Sequence, residues 1–142
     1  MHDIEQVVAK WRRDGLAVNS GASELELQCL QRRLGVPLPA DVRFYFDLAN
    51  GMGAGHDEYL VQFWSIEKIL AEANGIVRDY PDLQPTDLPI ADVLIESWFI
   101  VLRVGVAGEV GIFVEGNLLE LPSLTEFFVA YRTNPRSVWL VK

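Results

Sequence analysis

The sequence predicts one α+β domain, a mixed or mainly antiparallel sheet backed by helices, and three observations carry that expectation. Amphipathic spacing, a capping box and terminal glycines place helices in the first third of the chain. Runs of β-branched and aromatic residues separated by glycine turns follow at residues 98–121. A second capping box then opens a closing helix, so the sheet has helices to pack against. The length, 142 residues, fits a single domain spanning 1–142 with a core of its own.

Ile4, Val7, Val8 and Trp11 recur at helical spacing, which predicts a helix over 3–13 with Arg12 and Arg13 at its negative end and Gly15 as cap. Ser23 and Glu26 form an S-x-x-E capping box ahead of Leu27, Leu30 and Leu34, and Gly35 ends that helix. Val36-Pro37-Leu38-Pro39 is a rigid connector, with Pro39 suited to a first turn. A third, well-buried helix is expected from Ala40 to Ala49, with Asn50-Gly51 as its left-handed stop.

Gly51 to Glu58 reads as a glycine-rich loop and Leu60 to Trp64 as a strand. Ser65 is placed to cap a short helix whose Ile66, Ile69 and Leu70 face inward. Ile76 to Pro89, rich in proline and aspartate, reads as a long surface loop. Strands are expected at Ile90–Val93, Trp98–Val104, Val110–Val114 and Leu118–Leu121, with turns at Gly105–Gly108 and Gly116-Asn117. Ser123 and Glu126 cap a helix carrying Phe127, Phe128 and Tyr131, and Val138–Val141 is an apolar tail. Trp11, Trp64, Trp98 and Trp139 are expected in or near the core.

Composition narrows the class. The lone Cys29 cannot form an internal disulfide, which favours a reducing, cytoplasmic setting. The acidic start Met1-His2-Asp3-Ile4-Glu5 does not resemble a signal peptide, and apolar runs such as Trp98–Leu102 are too short to span a membrane. The net charge is −8, and residues 41–126 concentrate it, with fifteen acids against four bases. Such a region repels phosphate backbones and attracts basic surfaces, which disfavours direct nucleic-acid binding.

No motif points to catalysis, a cofactor or a metal. His56-Asp57-Glu58 is the one histidine–carboxylate cluster, and adjacent loop residues point in different directions rather than toward one ion. Gly51-Met52-Gly53-Ala54-Gly55 follows a helix, not a strand, and lacks the Lys-Ser/Thr of a phosphate loop. Cys29 has no neighbouring histidine. The acid pairs Asp92 with Glu96 and Glu109 with Glu115 are the residues a hydrolase would use, but their spacing supports no specific geometry.

Leu34-Gly35-Val36-Pro37-Leu38-Pro39-Ala40-Asp41, then Phe44-Tyr45, then Asn50-Gly51, resembles the signature of the SMI1/KNR4, or SUKH, superfamily. Ile90-Ala91-Asp92, the Trp-Phe strand and the final Phe-Phe helix resemble its second half, so the resemblance spans roughly 20–131. It implies an α+β fold in which Gly35 and Gly51 act as caps, Pro37 and Pro39 as connector and Phe44 as core, with no active site to transfer. Many bacterial members look like immunity proteins that neutralise toxins, often nucleases, by contact, whereas fungal members resemble regulatory scaffolds. The resemblance therefore implies a cytoplasmic immunity protein, not an enzyme, with a basic toxin domain as partner; the alternative is a scaffold or regulatory domain without a toxin. The acidic residues expected at the partner surface are Asp57, Glu58, Asp79, Asp82, Asp87, Glu96, Glu109 and Glu115.

Overall fold

The computed structural model describes residues 2–114 and 120–135. Helix α1 (His2–Arg13) buries Ile4, Val7, Val8 and Trp11 on one stripe, as their spacing requires. Helix α2 (Glu24–Leu34) opens with the full capping box. Ser23 Oγ accepts the Glu26 N–H at 3.1 Å, and Glu26 Oε1 accepts the Ser23 N–H at 2.8 Å. Gly35 closes the helix at φ 77°.

Helix α3 (Ala40–Leu48) follows Pro39 and buries Val42, Tyr45 and Phe46, while the expected core residue Phe44 is only partly covered. The helix does not stop at Asn50-Gly51. Ala49 already leaves it in an extended conformation. Asn50 and Gly51 have another task. The Asn50 Oδ1 accepts the N–H of Ile66 at 2.8 Å, and Gly51, at φ 67°, lies against the Trp64 carbonyl.

Strand β1 (Val61–Phe63) leads into helix α4 (Ile66–Asp79), whose N-cap Ser65 accepts the Lys68 N–H at 3.2 Å. This helix is longer than expected. Asn74 and Gly75 are poor helix residues, but Ile69, Ala73 and Ile76 at i, i+4 and i+7 are buried, and that packing outweighs a glycine cost of roughly 1 kcal/mol. The expected long loop at 76–89 therefore shrinks to a connector of residues 80–87, because its start is helix and its end is strand.

Strands β2 (Leu88–Val93), β3 (Trp98–Val104), β4 (Val110–Val114) and β5 (Glu120–Leu121) complete an antiparallel sheet in the order β1-β2-β3-β4-β5. Pro89 is tolerated in a central strand because the register slips between Pro89 and Ala91, where a missing N–H does least harm. Helix α5 (Leu124–Thr133) closes the fold. Ser123 Oγ accepts the Glu126 N–H at 3.0 Å, and Asp41 of α3 accepts the Thr125 N–H at 2.8 Å, so two orphan amides are covered.

Phe63, Ala91, Ile100 and Val114 share one row of the sheet. Phe63 packs against Trp11 of α1 and Phe128 of α5 with ring centroids 4.7 and 5.6 Å away. The opposite face is also covered at its centre. Phe99 lies beneath Trp64 and Tyr80 at 5.8 and 5.9 Å, and Val101 is buried. Glu115, the Gly116-Asn117 turn, the start of the Leu118–Leu121 strand, Trp139 and the Val138–Val141 tail lie outside the described residues.

Candidate protein-binding face

The register gives the sheet two distinct ends. The β2–β3 turn at residues 94–97 and the loop before β1 meet at one end, where the Leu94 N–H donates to the Leu60 carbonyl at 2.9 Å. The 80–87 connector and the β3–β4 turn lie at the other, roughly 20 Å away along β3 at about 3.3 Å per residue. The acids expected to form one surface are, among the described residues, divided between these ends.

Two of them are buried and satisfied by the fold, which corrects their assignment as contact residues. Asp57 opens β1. Its Oδ1 accepts the N–H groups of Tyr59 and Val61 at 2.8 and 2.9 Å, and its Oδ2 accepts the Tyr131 hydroxyl. Trp11 Nε1 donates to that hydroxyl at 2.9 Å, so Asp57 anchors the loop to α1 and α5. Burial pushes the Asp57 carboxyl above its ordinary value, against the pull of the hydrogen bonds it accepts, and burial likewise raises the Tyr131 hydroxyl. Asp87 is fully buried in a two-pronged pair with Arg103, Nε to Oδ1 at 2.8 Å and an Nη to Oδ2 at 2.6 Å, and also accepts the Gln84 N–H at 2.8 Å. Its partner comes from the neighbouring strand, which local sequence does not reveal.

The remaining acids among the described residues are exposed. Asp79 ends α4 rather than sitting on a loop, 3.2 Å from Arg78. Asp82 is exposed on the connector. Glu109 folds back over its own turn, its Oε1 accepting the Ala107 N–H at 3.1 Å. At the other end, Glu58 lies 3.2 Å from Lys10 and Glu96 lies 3.7 Å from Lys68, both pairs half open to solvent. Such pairs contribute little stability.

That same end carries features that sequence reading missed. Tyr59, Leu60, Ile95 and Trp98 are large, apolar and exposed there, Ile95 to 81%. Leu60, Leu94, Ile95 and Glu96 hold φ of 64°, 56°, 54° and 65°, and they are the non-glycine residues with positive φ among the described residues. A tight turn between twisted strands favours left-handed residues, usually Asn-Gly. Here Leu94-Ile95-Glu96 occupies those positions, so no turn signature marks the site in the sequence. Trp98, expected in or near the core, stands at the exposed start of β3.

The loop at 55–60 separates two depressions. A cleft of about 250 Å³ lies between α1 and α5 and is lined by Lys10, Trp11, Glu58, Tyr59, Tyr131 and Arg132. A smaller one, about 170 Å³, is bordered by His56, Leu60, Gln62, Asp92, Ile95 and Glu96. The Asp92 carboxylate is already engaged, accepting Trp64 Nε1 at 2.6 Å and the Glu96 N–H at 3.1 Å. Asp92 and Glu109 stand at opposite ends of the sheet, so these two acids form no common pocket. Among the described residues no group of three or more His, Cys, Asp or Glu is placed to hold a metal ion. His56 instead has its Nδ1 2.9 Å from the Asp57 carbonyl, and Cys29 is half-buried in α2. No helix among the described residues is long and apolar enough to cross a membrane.

No curated protein matches the chain. Residues 21–129, running from just before the α2 capping box into α5, match the SMI1 / KNR4 family (SUKH-1). That span contains the Gly35–Pro39 connector, the Asn50-Gly51 junction and all five strands, and the chain therefore belongs to the SMI1/KNR4 (SUKH-1) family.

Proposed function

We propose that this chain is an immunity protein, which binds a cognate bacterial toxin and neutralises it by direct contact. The observation that carries the reading is SUKH-1 membership across residues 21–129. Two further observations support it. The buried carboxylates Asp57, Asp87 and Asp92 are each engaged by hydrogen bonds that hold the scaffold together. The net charge of −8 suits a basic partner such as a nuclease domain, whose own surface must hold phosphates.

If a toxin is encoded beside this gene, co-expression with it is expected to restore growth, and the two purified proteins are expected to co-elute as a complex. Growth rescue without any complex would replace this reading with an enzyme or regulator. A complex that leaves toxicity untouched would favour a scaffold or regulatory interaction domain.

A further inference from the structure

From the geometry of the sheet end formed by the 55–60 loop and the β2–β3 turn, we infer that this end is the contact surface for a basic partner domain, with Leu60 and Ile95 as apolar anchors between Glu58 and Glu96. The inference rests on the proposed binding function and narrows it to one end of the sheet.

Two independent observations meet there. The first is exposed apolar area. Tyr59, Leu60, Ile95 and Trp98 gather at this end, whereas among the described residues Val106 is the exposed large apolar residue at the opposite end. Leu60 and Ile95 border the same depression, so a partner side chain seated in it touches both. The second is charge. Glu58 and Glu96 flank the apolar residues, and their contacts with Lys10 and Lys68, at 3.2 and 3.7 Å, are open to solvent. An incoming arginine or lysine can share or replace such contacts with little loss. At the opposite end Asp79, Asp82 and Glu109 are exposed as well, so what sets this end apart is that its exposed carboxylates flank a group of exposed apolar residues. Apolar anchors ringed by charges that set the encounter rate match the organisation of steered protein interfaces.

The backbone adds a reason for these side chains to be kept. Glycine at Leu60 or Ile95 would relieve the left-handed conformation, yet both positions carry large apolar groups that the core does not use.

The test uses the full chain and a catalytically inactivated toxin domain, sought in the adjacent reading frames. Ile95→Arg is expected to weaken the complex by about 30-fold or more, and Val106→Arg, equally exposed at the far end, by less than about twofold. Ile95→Gly keeps the fold, raises the denaturation midpoint and still weakens binding, which separates loss of contact from loss of structure. Glu58→Lys with Glu96→Lys slows association about tenfold at low salt, while Asp82→Lys with Glu109→Lys does not. A complex that survives Ile95→Arg and Ile95→Gly unchanged, or that is lost on Val106→Arg, overturns the inference while leaving the binding function intact. Failure of the wild-type chain to bind the toxin overturns both.

Discussion

The Asn50 side chain accepts the Ile66 backbone N–H at 2.8 Å, so a residue just past the end of α3 caps the first turn of α4, 16 positions later. Its backbone is equally committed. The Asn50 N–H donates to the Ser20 carbonyl at 3.1 Å, and its carbonyl accepts the Asn19 side chain at 2.9 Å. This one buried residue joins the α1–α2 link, the end of α3 and the start of α4. Asn50→Ala is expected to destabilise the protein by about 1–3 kcal/mol, because a buried N–H loses its acceptor. Urea denaturation followed by tryptophan fluorescence measures it.

Gly51 and Gly35 both hold positive φ, but only Gly51 is crowded. A Cβ at Gly51 meets the Trp64 carbonyl, whereas one at Gly35 meets nothing. Gly35→Ala therefore costs about 1 kcal/mol, the left-handed penalty alone. Gly51→Ala costs roughly 3 kcal/mol or more, because backbone must also move. Equal midpoints for the two variants would contradict this packing.

The Tyr45 hydroxyl is buried without a hydrogen-bond partner among the described residues, and burial pushes its ionisation well above the ordinary tyrosine value. Removing an unsatisfied polar group relieves its desolvation cost. Tyr45→Phe is expected to leave stability unchanged or raise it by up to about 1 kcal/mol. A loss of more than that in a thermal melt would reveal a partner for the hydroxyl.

Asp57 links stability to pH. Burial raises its carboxyl in the folded state, so the native protein holds this proton more tightly than the unfolded chain. Its contribution is fully present below the unfolded value and is lost as pH rises through the raised folded value. Asp57→Asn keeps an acceptor for the Tyr59 and Val61 amides but does not titrate. The stability difference between wild type and Asp57→Asn should therefore shift against the wild type as pH rises from about 3 to 7. A difference that is flat across this range would show that Asp57 titrates as it does unfolded.

Arg103 neutralises the fully buried Asp87. Arg103→Ala strands that carboxylate and is expected to cost about 3 kcal/mol, near the lower end for broken buried pairs because Arg103 itself is partly exposed. Adding Asp87→Asn removes the stranded charge and should recover part of the loss, which a double-mutant cycle measures.

Much of the fold was legible because its signals are local. The stripe from Ile4 to Trp11, the Ser23–Glu26 box and the hydrophobic run of β3 each act within a few residues, so their spacing alone predicts the element. The family signature was legible for the same reason, although the structure assigns Asn50-Gly51 a different task from the expected helix stop. The end of α4 was not legible, since burial of Ala73 and Ile76 overrides the weak helix propensity of Asn74-Gly75.

The candidate surface divides in the same way. The sequence by itself determined an acidic chain with an α+β pattern and the signature of its family, because charge and periodicity are properties of residue order. Which acids face solvent was decided only by tertiary structure. Asp57 finds Tyr131 74 residues away, and Asp87 finds Arg103 across the sheet. Strand pairing also brings Leu60 beside the β2–β3 turn and leaves Ile95 exposed, and pairing between distant segments depends on the register of the whole sheet rather than on any local run of residues.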